Sequence, residues 1–195
     1  MQVNHILEVQ NGDTLQAIRR FLSAWWESFQ PAAMLAPLED PQTGIVAAQI
    51  IEDPAELARV NPFAPLMTAN SAGMAYQFQQ ERPNQRLGAM LRPCELRTFT
   101  ELRKRHTNSP IRQNEWDGRM VLFSADCMGS YSLDEYRRNV AQMGLQALTQ
   151  ETLANASTGG FKAHKYRTAC QICDWPAPWG ADVVIGTIGV ETSKY

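Results

Sequence analysis

The sequence predicts an α/β protein: a mixed, partly parallel sheet flanked by helices. Short apolar stretches typical of strands alternate along the chain with amphipathic or capped stretches typical of helices. The alternation is clearest after residue 86, and strands separated by helices favour parallel pairing. Because 195 residues is the size of one domain, we expect a single domain over 1–195.

The first predicted helix accounts for an arginine pair, Arg19-Arg20, that superficially resembles an export signal. Apolar side chains recur at intervals of three and four residues between Leu15 and Phe29, as on a helix with one buried face. Asn11 or Asp13 would cap its start and Pro31 would end it. No apolar run approaches the length of a membrane span. We therefore expect a cytoplasmic protein without a membrane span, whose thiols stay reduced.

Turn residues, caps and apolar runs define the other elements. Prolines exclude regular structure from Asn61 to Met67, which is predicted as a loop. A capping-box pattern at Ser132 and Glu135 begins a long helix. The predicted strands are Ala33–Ala36, Gly44–Ile51, Leu87–Leu91, Met120–Ser124 and Ala181–Ile185. The predicted later helices are Pro54–Arg59, Ser71–Gln80, one that follows Arg92-Pro93-Cys94-Glu95 and ends at Arg105, and one from Ser132 to about Leu153, before a loop over Asn155–Gly160.

Charge and cysteine content exclude two classes of protein. The chain has 18 Lys and Arg against 20 Asp and Glu, a net charge of −2. Because nucleic-acid-binding domains carry a basic surplus, we expect no nucleic-acid partner. Four cysteines are too few for a scaffold built on disulfides. Four is, however, the number of ligands that one metal centre uses.

The cysteines stand where an α/β sheet binds ligands. Cys94 and Cys127 each follow a predicted strand, and ligands bind beyond the carboxyl ends of such strands. Cys170 and Cys173 form a C-x-x-C pair, which presents two sulfurs to one metal or cluster. The helix start at Cys94 is expected to stabilise its thiolate. Four thiolates could therefore converge.

Other interpretations of these residues stay open. Isolated cysteines are frequently small buried apolar side chains, and a C-x-x-C pair is also found in redox dithiols and zinc sites. A zinc ribbon pairs two such knuckles, whereas the sequence has one, and His5, His106 and His164 are not adjacent to a cysteine. Trp175 and Trp179, which follow the pair, are predicted to pack as ordinary aromatic side chains rather than to stack on a flavin.

Three blocks of sequence carry a family resemblance. They are Leu91-Arg92-Pro93-Cys94-Glu95-Leu96-Arg97, then Asp126-Cys127-Met128-Gly129-Ser130-Tyr131, then Arg167-x-x-Cys170-x-x-Cys173 continuing through Pro176-x-Pro178 to Gly186-x-Ile188-Gly189. Each block alone is weakly specific, but the three occur in order. The chain resembles the beta subunit family of coenzyme-F-420-reducing hydrogenases and formate dehydrogenases, from about Leu15 to Glu191. Ser130 stands where that family has threonine.

The resemblance implies an oxidoreductase subunit that carries electrons. Cys94, Cys127, Cys170 and Cys173 would hold a 4Fe-4S cluster, with FAD bound beside it. Electrons would pass between a two-electron carrier, either the deazaflavin coenzyme or one reduced by formate or hydrogen, and the clusters of a partner. The residues expected to contact the flavin or offset the cluster's charge are Arg92, Arg97, Gly129, Arg167, Gly186 and Gly189. Ordinary ion pairs with Glu95 or Asp182 are the alternative role for the arginines.

Some longer members of the family carry additional cysteine-rich motifs. The present sequence has no further cysteine between Cys173 and its last residue, Tyr195. If the chain is complete, it holds one cluster and depends on iron-sulfur subunits of a redox complex. If it is a fragment, part of the flavin site is missing. Two other hypotheses stay open. One is a non-catalytic, metal-stabilised scaffold or assembly subunit of a hydrogenase or formate dehydrogenase complex, and the other is a thiol-disulfide enzyme that uses the C-x-x-C pair.

Overall fold

The computed structural model describes residues 5–105, 119–158 and 165–194, and its strands form one five-stranded sheet in the order β2-β1-β3-β4-β5. The β1–β2 pair is antiparallel, and β1–β3, β3–β4 and β4–β5 are parallel. The predicted single α/β domain with a mixed, partly parallel sheet is therefore confirmed. The strands are β1 (Ala33–Glu39), β2 (Val46–Ile51), β3 (Leu87–Met90), β4 (Met120–Ala125) and β5 (Val183–Ile185).

The helices begin at the caps that the sequence indicates. The Asp13 carboxylate accepts a hydrogen bond from the Gln16 amide at 2.9 Å, and the Ser132 hydroxyl accepts one from the Glu135 amide at 3.3 Å. No helix in the described ranges is long and apolar enough to cross a membrane. The helices are α1 (Thr14–Phe29), α2 (Ala72–Glu81), α3 (Pro93–Arg105), α4 (Leu133–Met143), α5 (Leu145–Ser157) and α6 (Thr168–Gln171), with 3-10 turns at Gln10–Gly12 and Pro54–Arg59.

Apolar side chains cover both faces of the sheet. Successive residues of β1 alternate between the two faces, since Met34 and Ala36 pack in one cluster while Ala33 and Leu35 pack in the other. The first cluster lies against α1 and α5, and the second lies against α2 and α3. Burial on both faces explains why the inner strands β1, β3 and β4 are nearly continuous apolar runs in the sequence.

The predicted long helix from Ser132 to Leu153 is wrong, because the chain forms two helices there. Gly144 adopts φ 82° and ψ 157° between α4 and α5, a left-handed conformation that glycine tolerates and a helix interior excludes. The predicted loop over Asn155–Gly160 also starts too early. Asn155 and Ala156 are buried in the last turn of α5, so packing prolongs that helix to Ser157. Residues 159–164, which include His164, lie outside the described residues, as does His106.

Candidate functional site

Two of the four cysteines follow neighbouring parallel strands. Cys94 lies in the first turn of α3, directly after β3, and Cys127 lies two residues beyond the end of β4. Because β3 and β4 are parallel, both thiols stand at the same edge of the sheet, as the sequence predicts.

Backbone hydrogen bonds bring the C-x-x-C segment to this edge. The Cys127 amide donates to the Pro176 carbonyl at 2.9 Å, and the Arg167 amide donates to the Ser130 carbonyl at 2.9 Å. Cys170 is in α6, and the Cys173 amide donates to the Cys170 carbonyl at 3.3 Å. The three cysteine-bearing segments are therefore joined at the carboxyl ends of β3 and β4.

All four cysteines are free thiols and partly buried. Burial raises the pKa of the Cys94 thiol, and the negative charges of Cys127 and Glu95 raise it further, against a smaller opposing effect of Arg92. The Glu95 amide at the helix start lowers this pKa, as the sequence predicts, but burial and the two anionic groups outweigh it, so the net shift is upward.

The donor set has the chemistry of a cluster site. Within the described residues, no three His, Cys, Asp or Glu side chains lie close enough together to hold a metal ion. In a 4Fe-4S cluster each cysteine binds a different iron. The four cysteine sulfurs of such a site therefore lie further apart than the ligands of a single metal ion. Four free, partly buried thiols on three joined segments fit such a cluster in ligand type and number. Cluster binding itself stays a prediction.

Arg92 places a cation beside one of the sulfurs. Its Nη2 donates to the carbonyls of Ala64 and Leu66, each at 2.6 Å, and its Nη1 lies 3.5 Å from the Cys127 Sγ. Burial lowers the pKa of Arg92, but the charges of Cys127 and Glu95 outweigh that effect and hold it above its usual range. The guanidinium is therefore fixed by carbonyls, with its charge directed at a thiol.

Glu95 anchors the start of α3. Its carboxylate is buried and accepts hydrogen bonds from the Ser71 amide at 2.9 Å, the Ser71 hydroxyl at 2.8 Å and the Arg92 amide at 2.9 Å. From the sequence, Glu95 is expected only as an ion-pair partner for an arginine, and the structure gives it this anchoring role in addition. The available signal was a proline at the first helical position and a glutamate at the third, where a side chain reaches back to the amide before the helix.

Ser130 and Gly129 position the C-x-x-C side of the site. The Ser130 Oγ lies 3.4 Å from the Cys170 Sγ. Gly129 has φ 122°, and a Cβ there would stand 2.9 Å from the ring of Tyr166. The ring of Tyr166 packs on that of Tyr131, with centroids 4.8 Å apart. The glycine thus permits close packing of a tyrosine, and its predicted flavin contact stays a prediction.

Asp126 occupies the turn that holds two of the predicted flavin contacts, Gly186 and Gly189. Its Oδ2 accepts hydrogen bonds from the amides of Thr187 at 2.7 Å and Ile188 at 2.8 Å. Two amides that could otherwise bind a phosphate are therefore already paired inside the protein. The flavin role of the two glycines stays a prediction.

The two remaining arginines are outside these networks. Arg97 is exposed, and its Cζ lies 5.8 Å from the ring centroid of Trp175, which is a cation–π contact. The Arg167 side chain makes no hydrogen bond or ion pair with the part of the chain that the structure describes. Neither forms the alternative ion pair with Glu95 or Asp182, and their roles toward a flavin stay predictions.

The apolar side chains around the C-x-x-C pair are exposed to solvent. Ile172 is 78% exposed, Trp175 is 50% exposed and Trp179 is 84% exposed. The predicted ordinary packing of the two tryptophans is therefore wrong for Trp179 and only partly right for Trp175, which packs on Arg97. We call Ile172, Trp175 and Trp179 the apolar rim.

Two cavities differ in their relation to the cysteines. A narrow one of about 40 Å³ is lined by Arg92, Glu95, Asp126 and Cys127. A cleft of about 740 Å³ lies between the start of α1, the β1–β2 turn and α5, and none of the predicted cofactor residues lines it. Its charged lining is mostly acidic, since it includes four carboxylates and one arginine. Phosphate groups would be repelled there, so the wide cleft is a poor place for FAD. The charged lining residues are Asp13, Arg19, Glu39, Asp40 and Glu191.

Comparisons with known proteins give a structural similarity alone. No family model matches the sequence, and no curated protein matches it. A solved structure similar to this chain is that of the F420-reducing NiFe hydrogenase complex from Methanosarcina barkeri, with a TM-score of 0.45 and 12% sequence identity. The match covers 72% of this chain and 49% of that chain, so this chain spans about half the length of the one it matches.

Proposed function

We propose that the chain is an electron-transfer subunit that holds a 4Fe-4S cluster with Cys94, Cys127, Cys170 and Cys173 and binds FAD beside it. The observation that carries this proposal is the joining of three cysteine-bearing segments at one edge of the sheet. The order of the three sequence blocks supports the same assignment, because each block supplies one of the joined segments.

The chain's own residues would hold and balance the cofactors. When bound, a flavin exchanges two electrons at once and an iron-sulfur cluster takes them singly. Arg92 would offset part of the negative charge of the cluster, because its guanidinium stands 3.5 Å from a ligand sulfur. Glu95 would keep Cys94 in place by fixing the first turn of α3 to Ser71.

Electrons would pass between the cluster of this chain and an iron-sulfur cluster of a partner subunit. The apolar rim supports this part of the proposal, because several large apolar side chains exposed within one short segment are typical of surfaces that bind other proteins. Ile172 lies between two of the proposed ligands, so a protein covering the rim would also approach the cluster. The two-electron carrier would be the deazaflavin coenzyme, or another carrier that is reduced by formate or hydrogen.

Cofactor analysis of the anaerobically purified chain tests the proposal. We expect about four iron and about four acid-labile sulfide per chain, with FAD in the same sample. Cys173→Ser should lose most of the iron. Ile172→Ser, a matched control between the two cysteines of the pair, should keep it. Colourless protein that contains zinc in place of iron and sulfide would contradict the proposal.

A second candidate function is a scaffold or assembly subunit that keeps the cluster without a flavin. The scaffold is favoured because groups predicted to contact the flavin already have partners within the protein. Asp126 accepts hydrogen bonds from amides of the Gly186–Gly189 turn, and Tyr166 fills the space at Gly129. The same cofactor analysis separates the two candidates. Iron and sulfide without FAD, in protein that still binds a hydrogenase-type partner, would favour the scaffold.

A further inference from the structure

Two of the cysteine sulfurs have a hydrogen-bond donor beside them. The Arg92 Nη1 lies 3.5 Å from the Cys127 Sγ, and the Ser130 Oγ lies 3.4 Å from the Cys170 Sγ. A sulfur bound to iron as a thiolate has no proton to give, so the serine hydroxyl would be the donor in that state. One donor is charged and the other is neutral, and each lies beside a different cysteine sulfur.

We propose that Arg92 and Ser130 are positioning residues that raise the reduction potential of the cluster by donating to the sulfurs of Cys127 and Cys170. The inference rests on the proposed function. Reduction adds one electron, and therefore one negative charge, to the cluster. A donor at a ligand sulfur stabilises the reduced form more than the oxidised form, and hydrogen bonds to the sulfurs are among the factors that set cluster potentials.

Both donors are fixed before any electron arrives. The carbonyls of Ala64 and Leu66 hold the Arg92 guanidinium through two bonds of 2.6 Å, so the cation does not have to be drawn in from solvent. Ser130 is 2% exposed, and its carbonyl accepts the Arg167 amide, which ties it to the segment that carries Cys170. A preorganised donor at a site shielded from water acts more strongly than one in water.

The test is a redox titration of the anaerobically prepared chain, followed by electron paramagnetic resonance of the reduced cluster. Ser130→Ala removes the hydroxyl and should shift the midpoint to a lower potential. The ratio of reduced to oxidised cluster at the wild-type midpoint should fall on the order of fivefold, the effect of one ordinary hydrogen bond. Ser130→Thr keeps a hydroxyl and should restore the midpoint. Arg92→Gln removes the charge and should shift the midpoint further in the same direction.

Controls separate this inference from folding and from the proposed function. Thr98→Ala removes a hydroxyl that bonds the Cys94 carbonyl at 3.0 Å rather than a sulfur, so its midpoint should equal that of the wild type. If Arg92→Gln fails to fold, the two serine variants decide. A full cluster with equal midpoints in wild type, Ser130→Ala and Ser130→Thr would overturn the inference and leave the proposed function standing. Wild-type chain that holds no cluster would overturn both.

Discussion

The two pairs of cysteines are supported in different ways. Cys94 and Cys127 follow buried strands of the sheet. The backbone around them is fixed by five hydrogen bonds of 2.6 to 2.9 Å, which the side chains of Glu95 and Arg92 make. The other pair stands on a helix of four residues and the turn after it, among exposed apolar side chains. We call the first the sheet half and the second the turn half. We therefore expect substitutions in the sheet half to lower the free energy of unfolding. Substitutions in the turn half should impair cofactor binding and leave the fold stable.

The largest effect is expected in the sheet half, at Glu95. Glu95→Ala leaves the Ser71 amide, the Ser71 hydroxyl and the Arg92 amide without their buried acceptor, so the free energy of unfolding should fall by about 3 kcal/mol or more. Urea denaturation measures this change. Asp174→Ala, which removes an exposed carboxylate in the turn half, is the control and should denature like the wild type. Wild-type stability in Glu95→Ala would refute the idea that this carboxylate anchors α3.

A smaller effect is expected where the two halves meet, at Gly129. Gly129→Ala places a methyl group 2.9 Å from the Tyr166 ring at a φ of 122°, so overpacking and backbone strain together should cost about 2–3 kcal/mol. Gly189→Ala is the matched control, because that residue has φ 74° but nothing within 4 Å of its Cβ. Its loss should be limited to the strain, about 1–2 kcal/mol. Equal losses in both variants would show that the contact with Tyr166 does not constrain Gly129.

The sheet half also makes the stability depend on pH, through Cys94. Folding raises the pKa of Cys94 above its ordinary value of 9.0, so the unfolded chain loses this proton first as the pH rises. The associated stability is complete below pH 9.0 and is lost as the pH rises through the folded pKa. In chelator-treated protein, the fall in stability between pH 7 and pH 10 should therefore be smaller in Cys94→Ala than in the wild type. Thr98→Ala keeps all four thiols and should follow the wild type. The same fall in all three proteins would contradict the assignment.

The smallest effect is expected on the apolar rim. Trp179 is 84% exposed, so Trp179→Ser should change the free energy of unfolding by no more than about 0.5 kcal/mol. Thermal denaturation of the isolated chain is sufficient to measure this. A loss of about 2 kcal/mol or more would mean that the indole packs in the fold, as the sequence predicts.

Local sequence signals predict the elements of the fold well. They do not predict contacts between residues that are distant in the sequence. The caps at Asp13 and Ser132 depend on bonds to the next few residues, which the sequence displays. The meeting of Cys94 and Cys127 was predictable because parallel strands share a carboxyl edge. The bonds from Arg92 to Ala64 and Leu66 join residues 28 and 26 positions apart, and no periodicity encodes such contacts. Gly144 was missed because the residues on both sides of it have a helical pattern, and the sequence does not specify the sign of φ.

The most direct test of the central claim is the iron content of one cysteine variant from each half, prepared anaerobically beside the wild type. Both halves are proposed to bind the same cluster. Cys127→Ser in the sheet half and Cys170→Ser in the turn half should therefore each lose most of the iron and the visible absorption of the cluster. Full iron in either variant, together with loss in the other, would contradict a cluster shared by the two halves.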